Sequence, residues 1–274
     1  MGTTVDTVEI YPTGDALMQA AAQRFAACAE AAIQAAGRFV VALSGGSTPK
    51  RLYALLATEP YAGRVQWSRV HVFWGDERCV PPDDPASNYR TAREALLSRV
   101  PVPEGNVHRM RGEDDPGSAA AAYERELREI FVTPDGPPAC TPARRFDLVL
   151  LGMGDNGHTA SLFPGTPAVR ETERWVMAQC VNAVSMWRVT LTPVIINSAA
   201  EVTFLVSGGE KAGMLRRVLK GPNMPDALPA QAIAPGHGRL RWLVDATAAA
   251  DLERSCDDIT GRDLQPGRIP ARRR

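Results

Sequence analysis

The chemistry of this chain concentrates in a few short stretches. In "FDLVLLGMGDNGHTASLFPG", residues 146–165, an apolar run ends in Gly152, Gly154 and Gly157 and then presents His158 beside Asp155 and Asn156. Glycines at such a place mean a sharp turn or a close approach. An imidazole near its ordinary pKa suits general-base work at neutral pH. "LSGGSTPK", residues 43–50, gathers Ser44, Gly45, Gly46, Ser47, Thr48 and a lysine at the entry to a predicted helix. Backbone N–H groups at a helix N-terminus, with two hydroxyls, make an anion site. The plainer alternative is a tight turn with Ser or Thr as N-cap and Pro49 at the first helical position. The theme returns in "SGGEK", residues 207–211, and the repetition favours anion binding. Lys211 falls in a helix's first turn, where a cation is disfavoured unless an anion lies between. "FWGDERCVP", residues 73–81, sets Asp76, Glu77 and Arg78 at a strand end. A carboxylate can exchange a proton, and an arginine can grip a carboxylate or phosphate with two parallel hydrogen bonds. Arg188, at the start of "WRVTLT", adds a cation.

Other chemistries lack their signatures. Gly152, Gly154 and Gly157 spell G-x-G-x-x-G, but that fingerprint must open a helix, and Pro164 and Gly165 break the chain too soon. The phosphate loop of nucleotide hydrolases, the serine-hydrolase elbow and the zincin motif are all absent. No metal and no cofactor is expected.

The elements that must hold these residues alternate. Residues 13–36 carry apolar side chains at helical spacing, and Gly37 ends the run. Further helices are predicted over 51–57, 87–100 (capped by Ser87 or Asn88), 116–131 and 210–220, with a short helical stretch at 193–199. Strands are predicted over 38–44, 69–77, 146–152, 174–181, 187–192 and 201–207, and residues 239–252 read as a strand followed by a helix. Residues 133–145 form a Pro-rich loop. Alternating strands and helices argue an α/β layer structure with a mostly parallel sheet. Ligands bind such sheets at the carboxyl ends of the strands, which is where these motifs fall. One domain over 1–256 and a C-terminal tail over 257–274 are expected.

Charge narrows the partners. Lys+Arg and Asp+Glu both total 31, so the formal net charge is zero, which supports neither a nucleic-acid binder nor a membrane-surface protein. Five widely spaced cysteines without C-x-x-C point to a reducing compartment rather than a disulfide framework. With no signal-like N-terminus, a cytoplasmic protein is expected.

Taken together, "VALSGGSTPKRLYALLA", "VHVFWGDERCVPPDDPASNYR", "DLVLLGMGDNGHTASLFPG", "RVTLTPVIINSA", "FLVSGGEKAGMLRRVL" and "LPAQAI" resemble the 6-phosphogluconolactonase family, in its order, over roughly residues 13–250. The resemblance implies a three-layer α/β/α sandwich with a modified Rossmann-like sheet, of the glucosamine-6-phosphate deaminase type. It implies cofactor-independent hydrolysis of 6-phospho-D-glucono-1,5-lactone to 6-phosphogluconate in the pentose phosphate pathway, by a monomer or weak homodimer. On this chain, His158 corresponds to the general base that activates water. The glycine-loop amides with Ser47 and Thr48, together with Arg188 and Lys211, correspond to phosphate anchors. Asp76 and Arg78 correspond to groups that orient the ring and support the carbonyl oxyanion. Asp155, Asn156 and Gly157 fall in the substrate-binding set. At one position the chain departs: the family usually has Asp directly before Gly-His, where Asn156 stands here. Either Asn156 orients His158 without charge, or Asp155 takes over. Two rivals share the fold: an amino-sugar-phosphate isomerase/deaminase, which carries a glutamate after Gly-His where "TASLFPG" has no acid, and a non-catalytic sugar-phosphate sensor.

Overall fold

The structure is a computed structural model that describes residues 7–131, 145–181 and 185–252. Six strands form one wholly parallel sheet in the order β1-β9-β8-β5-β2-β3. They are β1 (Thr7–Tyr11), β2 (Phe39–Leu43), β3 (Val70–Trp74), β5 (Leu148–Leu151), β8 (Glu201–Val206) and β9 (Arg239–Asp245). A second, antiparallel sheet of three takes the order β4-β7-β6, from β4 (Asp76–Arg78), β6 (Val176–Val181) and β7 (Met186–Leu191).

The period of two along each parallel strand divides the core. Phe39, Val41 and Leu43 join Leu148 and Leu150 in one cluster, under α1 (Gly14–Ala36), α2 (Ser47–Leu56) and α3 (Tyr61–Arg64). Val40 and Ala42 join Val149 and Leu151 in the other, under α5 (Pro116–Phe131), α6 (Pro193–Ile196), α7 (Ala212–Lys220) and the small sheet. Helices therefore cover both faces, which makes the α/β/α sandwich. Burying each large apolar side chain contributes roughly 1.5–3 kcal/mol.

Three expectations are revised, and one strand, β1, is added. The single strand over 69–77 is two strands in different sheets. Gly75 straddles them: its N–H donates to Leu43 (2.8 Å), and its carbonyl accepts from Leu191 (2.8 Å). The helix over 87–100 is α4 (Asn88–Ala92) followed by a π-helical turn over Arg93–Leu97, with Ser87 as its cap. The helix after β9 is a series of turns, because the Asp245 side chain takes the Ala248 N–H (2.8 Å) and the Thr247 hydroxyl (2.7 Å). Strand β1 escapes the pattern because its apolar residues, Val8 and Ile10, are the exposed ones. Its Glu9 pairs instead with Arg241 (3.0 Å) on β9. The C-terminal tail and nearly all of the 133–145 loop lie outside the described residues.

Candidate active site

Because β2, β5 and β8 run parallel, their carboxyl ends open on one side, and the loops that follow them share a cleft of about 200 Å3. Ser44, Gly45, Gly46, Ser47 and Thr48 form one wall. Helix α2 starts at Ser47 with Gly46 as N-cap and no side-chain cap hydrogen bond, and Pro49 is its third residue. The serine or threonine cap with Pro49 at the first position is therefore not formed. The leading amides of α2 have no intrahelical acceptor, and among the described residues no side chain caps them, which suits them to an anion. The Tyr53 hydroxyl anchors the loop from beneath. It accepts from the Ser44 N–H (2.9 Å) and donates to the Ser44 carbonyl (2.6 Å).

The "GDER" cluster divides its labour. Asp76 and Arg78 line the cleft, whereas Glu77 is buried and caps α4. Its carboxylate accepts from the N–H groups of Asn88 (2.7 Å) and Tyr89 (2.8 Å) and from the Ser87 hydroxyl (3.0 Å). Burial pushes the Glu77 carboxyl above the usual carboxylate range, against those hydrogen bonds. Asp76 accepts from the Ser161 hydroxyl (2.6 Å) and the Asn88 amide (3.1 Å), with Arg188 at 3.7 Å.

His158 lines the cleft with its ring stacked on Phe163, centroids 4.1 Å apart. Gly154 makes the ring's position possible, since a Cβ there would stand 1.9 Å from the imidazole Cε1. Asn156 Oδ1 accepts from the His158 backbone N–H (3.1 Å) and lies 2.6 Å from His158 Nδ1. A backbone N–H can only donate, so the facing amide atom is oxygen, and Nδ1 must carry the ring proton. Nε2 keeps its lone pair. Burial lowers the imidazole pKa to about 4. Asp76 and Asp155 oppose that shift, and Arg188 and Lys211 reinforce it. The expectation of an ordinary histidine pKa is thus corrected: at neutral pH this ring is uncharged, an acceptor at Nε2.

Arg188 and Lys211 complete the cationic lining. Lys211 is paired with Asp155, whose carboxyl that contact holds below its usual range. Asp155, Asn156 and Gly157 are not among the lining residues. Asp155 and Asn156 are exposed, and Gly157 is buried. Several lining or supporting residues went unread in the sequence. Asn88 looked like a helix cap, Ser161 sat unremarked in "TASLFPG", and Ser207 looked like an open anion loop although its hydroxyl donates to Asp245. Among the described residues, no three His, Cys, Asp or Glu side chains are grouped to hold a metal. No described helix is long and apolar enough to cross a membrane.

This geometry pairs an uncharged proton acceptor with cations and open amides, which suits water activation next to a tethered anion. Known proteins resemble it. A family model described as glucosamine-6-phosphate isomerases/6-phosphogluconolactonase matches residues 12–242. A 6-phosphogluconolactonase of Nostoc sp. is 42% identical over 248 residues, which is 90% of this chain and 98% of that relative. One of Mycobacterium tuberculosis is 40% identical over 252 residues, with the same shares of 90% and 98%. The solved structure of 6-phosphogluconolactonase from Trypanosoma cruzi superposes with a TM-score of 0.80 at 30% identity, covering 93% of this chain and 99% of that one. The chain belongs to the glucosamine-6-phosphate isomerase/6-phosphogluconolactonase family.

Proposed function

We propose that this chain hydrolyses 6-phospho-D-glucono-1,5-lactone to 6-phospho-D-gluconate in the oxidative branch of the pentose phosphate pathway, with His158 as general base. The observation that carries the reading is the His158 imidazole. Its Nδ1 proton is committed to Asn156 at 2.6 Å, and its ring lines the same cleft as Arg78, Arg188 and Lys211. Nε2 takes a proton from water as the water oxygen bonds to the lactone carbonyl carbon. The resulting oxyanion is stabilised by Arg78, while Asp76 orients the ring. The intermediate collapses with cleavage of the bond from that carbon to the ring oxygen, and the imidazolium returns its proton to the departing oxygen. The carboxylic acid product then ionises.

The phosphate supplies the remote binding energy. A dianion wants several N–H donors and cations, which the leading amides of α2 with Ser47 and Thr48, and then Arg188 and Lys211, can provide. Anchoring that end fixes the carbonyl against the base. All these groups come from one chain, so a monomer or weak homodimer suffices. A cytoplasmic location fits, since the free thiols of Cys28, Cys79 and Cys180 belong to a reducing compartment.

The test is lactone hydrolysis followed by pH-stat, corrected for spontaneous opening. Wild type accelerates opening, and His158→Ala loses about 100- to 10,000-fold in kcat while still binding 6-phosphogluconate. Unchanged turnover in that variant would refute the base, and ammonia release from glucosamine 6-phosphate by wild type would favour the deaminase reading.

A further inference from the structure

The three cations of the cleft differ in what neutralises them. Lys211 is paired with Asp155, and Arg188 faces Asp76 at 3.7 Å. Arg78 forms no ion pair among the described residues. Its Nη1 donates to two uncharged acceptors, the Ala86 carbonyl and Asn88 Oδ1, both at 2.7 Å. The Asn88 amide can point only one way. Its Nδ2 donates to the Asp76 carbonyl oxygen (2.8 Å) and the Asp76 carboxylate (3.1 Å), which cannot donate in return, and its Oδ1 meets a guanidinium, which cannot accept. The residue is 2% exposed, and its own N–H is held by Glu77 at 2.7 Å. The glycine loop makes room for it, because a Cβ on Gly45 would fall 1.8 Å from Asn88 Oδ1.

We infer that Asn88 is a positioning residue: one neutral amide fixes the Arg78 guanidinium and the Asp76 carboxylate at the cleft and leaves the Arg78 charge uncompensated for the anionic substrate. The inference rests on the sugar-phosphate reading of the site. A carboxylate at position 88 could accept from Arg78 equally well in shape. It would also neutralise that cation and bring a second negative charge against Asp76. A purely structural asparagine and a charge-sparing one therefore differ in how the Asn88→Asp loss depends on Arg78. If Asn88 only fills space and satisfies hydrogen bonds, Asn88→Asp turns a second oxygen onto the two Asp76 acceptors and costs the same affinity with or without the Arg78 charge. If it spares the Arg78 charge, much of the Asn88→Asp loss disappears once Arg78 is removed.

The measurement is calorimetric titration with 6-phosphogluconate, whose phosphate and carboxylate register the Arg78 charge at whichever end it meets. Kinetics and melting temperature are followed in parallel. Asn88→Asp is expected to weaken binding tenfold or more and to exceed the loss in Asn88→Ala. In an Arg78→Met background, Asn88→Asp should cost at least threefold less affinity than it does beside Arg78. Gly45→Ala, which leaves residue 88 intact but displaces its amide, should resemble Asn88→Ala. Binding by Asn88→Asp within twofold of wild type, a loss no greater than that of Asn88→Ala, or a loss of the same size in the Arg78→Met background overturns the inference. Wild type that binds 6-phosphogluconate but leaves the lactone untouched, with the predicted order intact, overturns the proposed reaction and keeps Asn88. Wild type that binds no 6-phosphogluconate overturns both.

Discussion

Two loops of this chain begin with Ser-Gly-Gly directly after a parallel strand, one following β2 and the other β8. Each contains a glycine with φ of +106°, Gly46 in the first and Gly208 in the second, and each leads into a helical segment without a side-chain cap. Their electrostatics differ. The residues that open α2 line the cleft, and among the described residues no carboxylate accepts from their amides. In the second loop, Asp245 takes the Gly208 N–H (3.2 Å) and the Ser207 hydroxyl, and Asp155 takes Lys211. Burial works against the Asp245 carboxylate, but hydrogen bonds from Ser207, Ala248, Thr247 and Gly208 outweigh it and hold its pKa below the ordinary value. The second loop has the shape of an anion site with the protein's own anions already in it. The motif supplies donors, and the rest of the fold decides whether they are free.

Alanine at the two strained glycines separates the loops most sharply. Gly46 (φ +106°, ψ 168°) sits in a region essentially reserved for glycine, and Gly208 (φ +106°, ψ 139°) lies close to it. A Cβ at either position costs about 1–3 kcal/mol of strain, which lowers the melting temperature by roughly 2–4 °C per kcal/mol at this size. Only Gly46→Ala should also raise the dissociation constant for inorganic phosphate, tenfold or more, because it disturbs amides that an external anion uses. Equal losses of phosphate affinity in Gly46→Ala and Gly208→Ala would erase the distinction.

Removing the internal anion probes the second loop directly. Asp245→Ala orphans the donors of Ser207, Gly208, Thr247 and Ala248. Leaving such groups unsatisfied costs about 2–4 kcal/mol in sum, read as a drop in denaturation midpoint with kcat preserved. The pH dependence carries a sign. A carboxylate whose folded pKa is depressed contributes stability that is present above its unfolded pKa and lost as pH falls through the folded value. Asp245→Ala should therefore lose part of the acid sensitivity of wild type, with the two stability curves converging toward low pH.

How far the sequence reveals this depends on the range of the interactions. The strands of the parallel sheet announce themselves because their neighbours are local in pattern: Phe39 to Leu43 alternate between two buried clusters along five residues. The cleft is readable for the same reason, since Ser44, Gly152 and Ser207 each follow such a strand directly. The state of the loops is not readable. The carboxylate that fills the second lies 38 residues beyond Ser207, and the amide that orders the first reaches it from the helix that Glu77 caps. Burial around His158 is likewise a property of the assembled walls, so a motif suggesting an ordinary imidazole conceals one lowered to about 4.

That imidazole allows a test between the loops, because it lines the same cleft as both. Its neutral partner Asn156, at 2.6 Å, fixes the ring proton on Nδ1 without favouring the imidazolium. With a folded pKa of about 4, the base stays free until the pH falls through that value, so the acid limb of the kcat/KM profile should lie there. Asn156→Asp places a carboxylate against Nδ1, favours the protonated ring, and should move the acid limb upward by about one pH unit or more. Nitrogen NMR of the ring, with the Nδ1–H tautomer in wild type, checks the same assignment without turnover. An acid limb that stays in place in Asn156→Asp, with His158 still essential, would mean that Asn156 does not govern the ring.

The smallest effect concerns Lys211, the cation that belongs to both descriptions: it lines the cleft, yet Asp155 already holds it. The Asp155 side chain is 81% exposed, and pairs of that kind are worth no more than about 1 kcal/mol. Asp155→Asn frees Lys211 at that small cost. If Asp155 is a stand-in for the substrate's charge, inorganic phosphate should bind two- to fivefold tighter to the variant, and the gain should fade at high salt as the exposed charges are screened. If Asp155 instead touches the sugar, the same substitution should leave phosphate binding alone and raise KM for the lactone. Whether phosphate affinity rises or stays unchanged thus decides whether the second loop is closed by competition or simply shares the substrate.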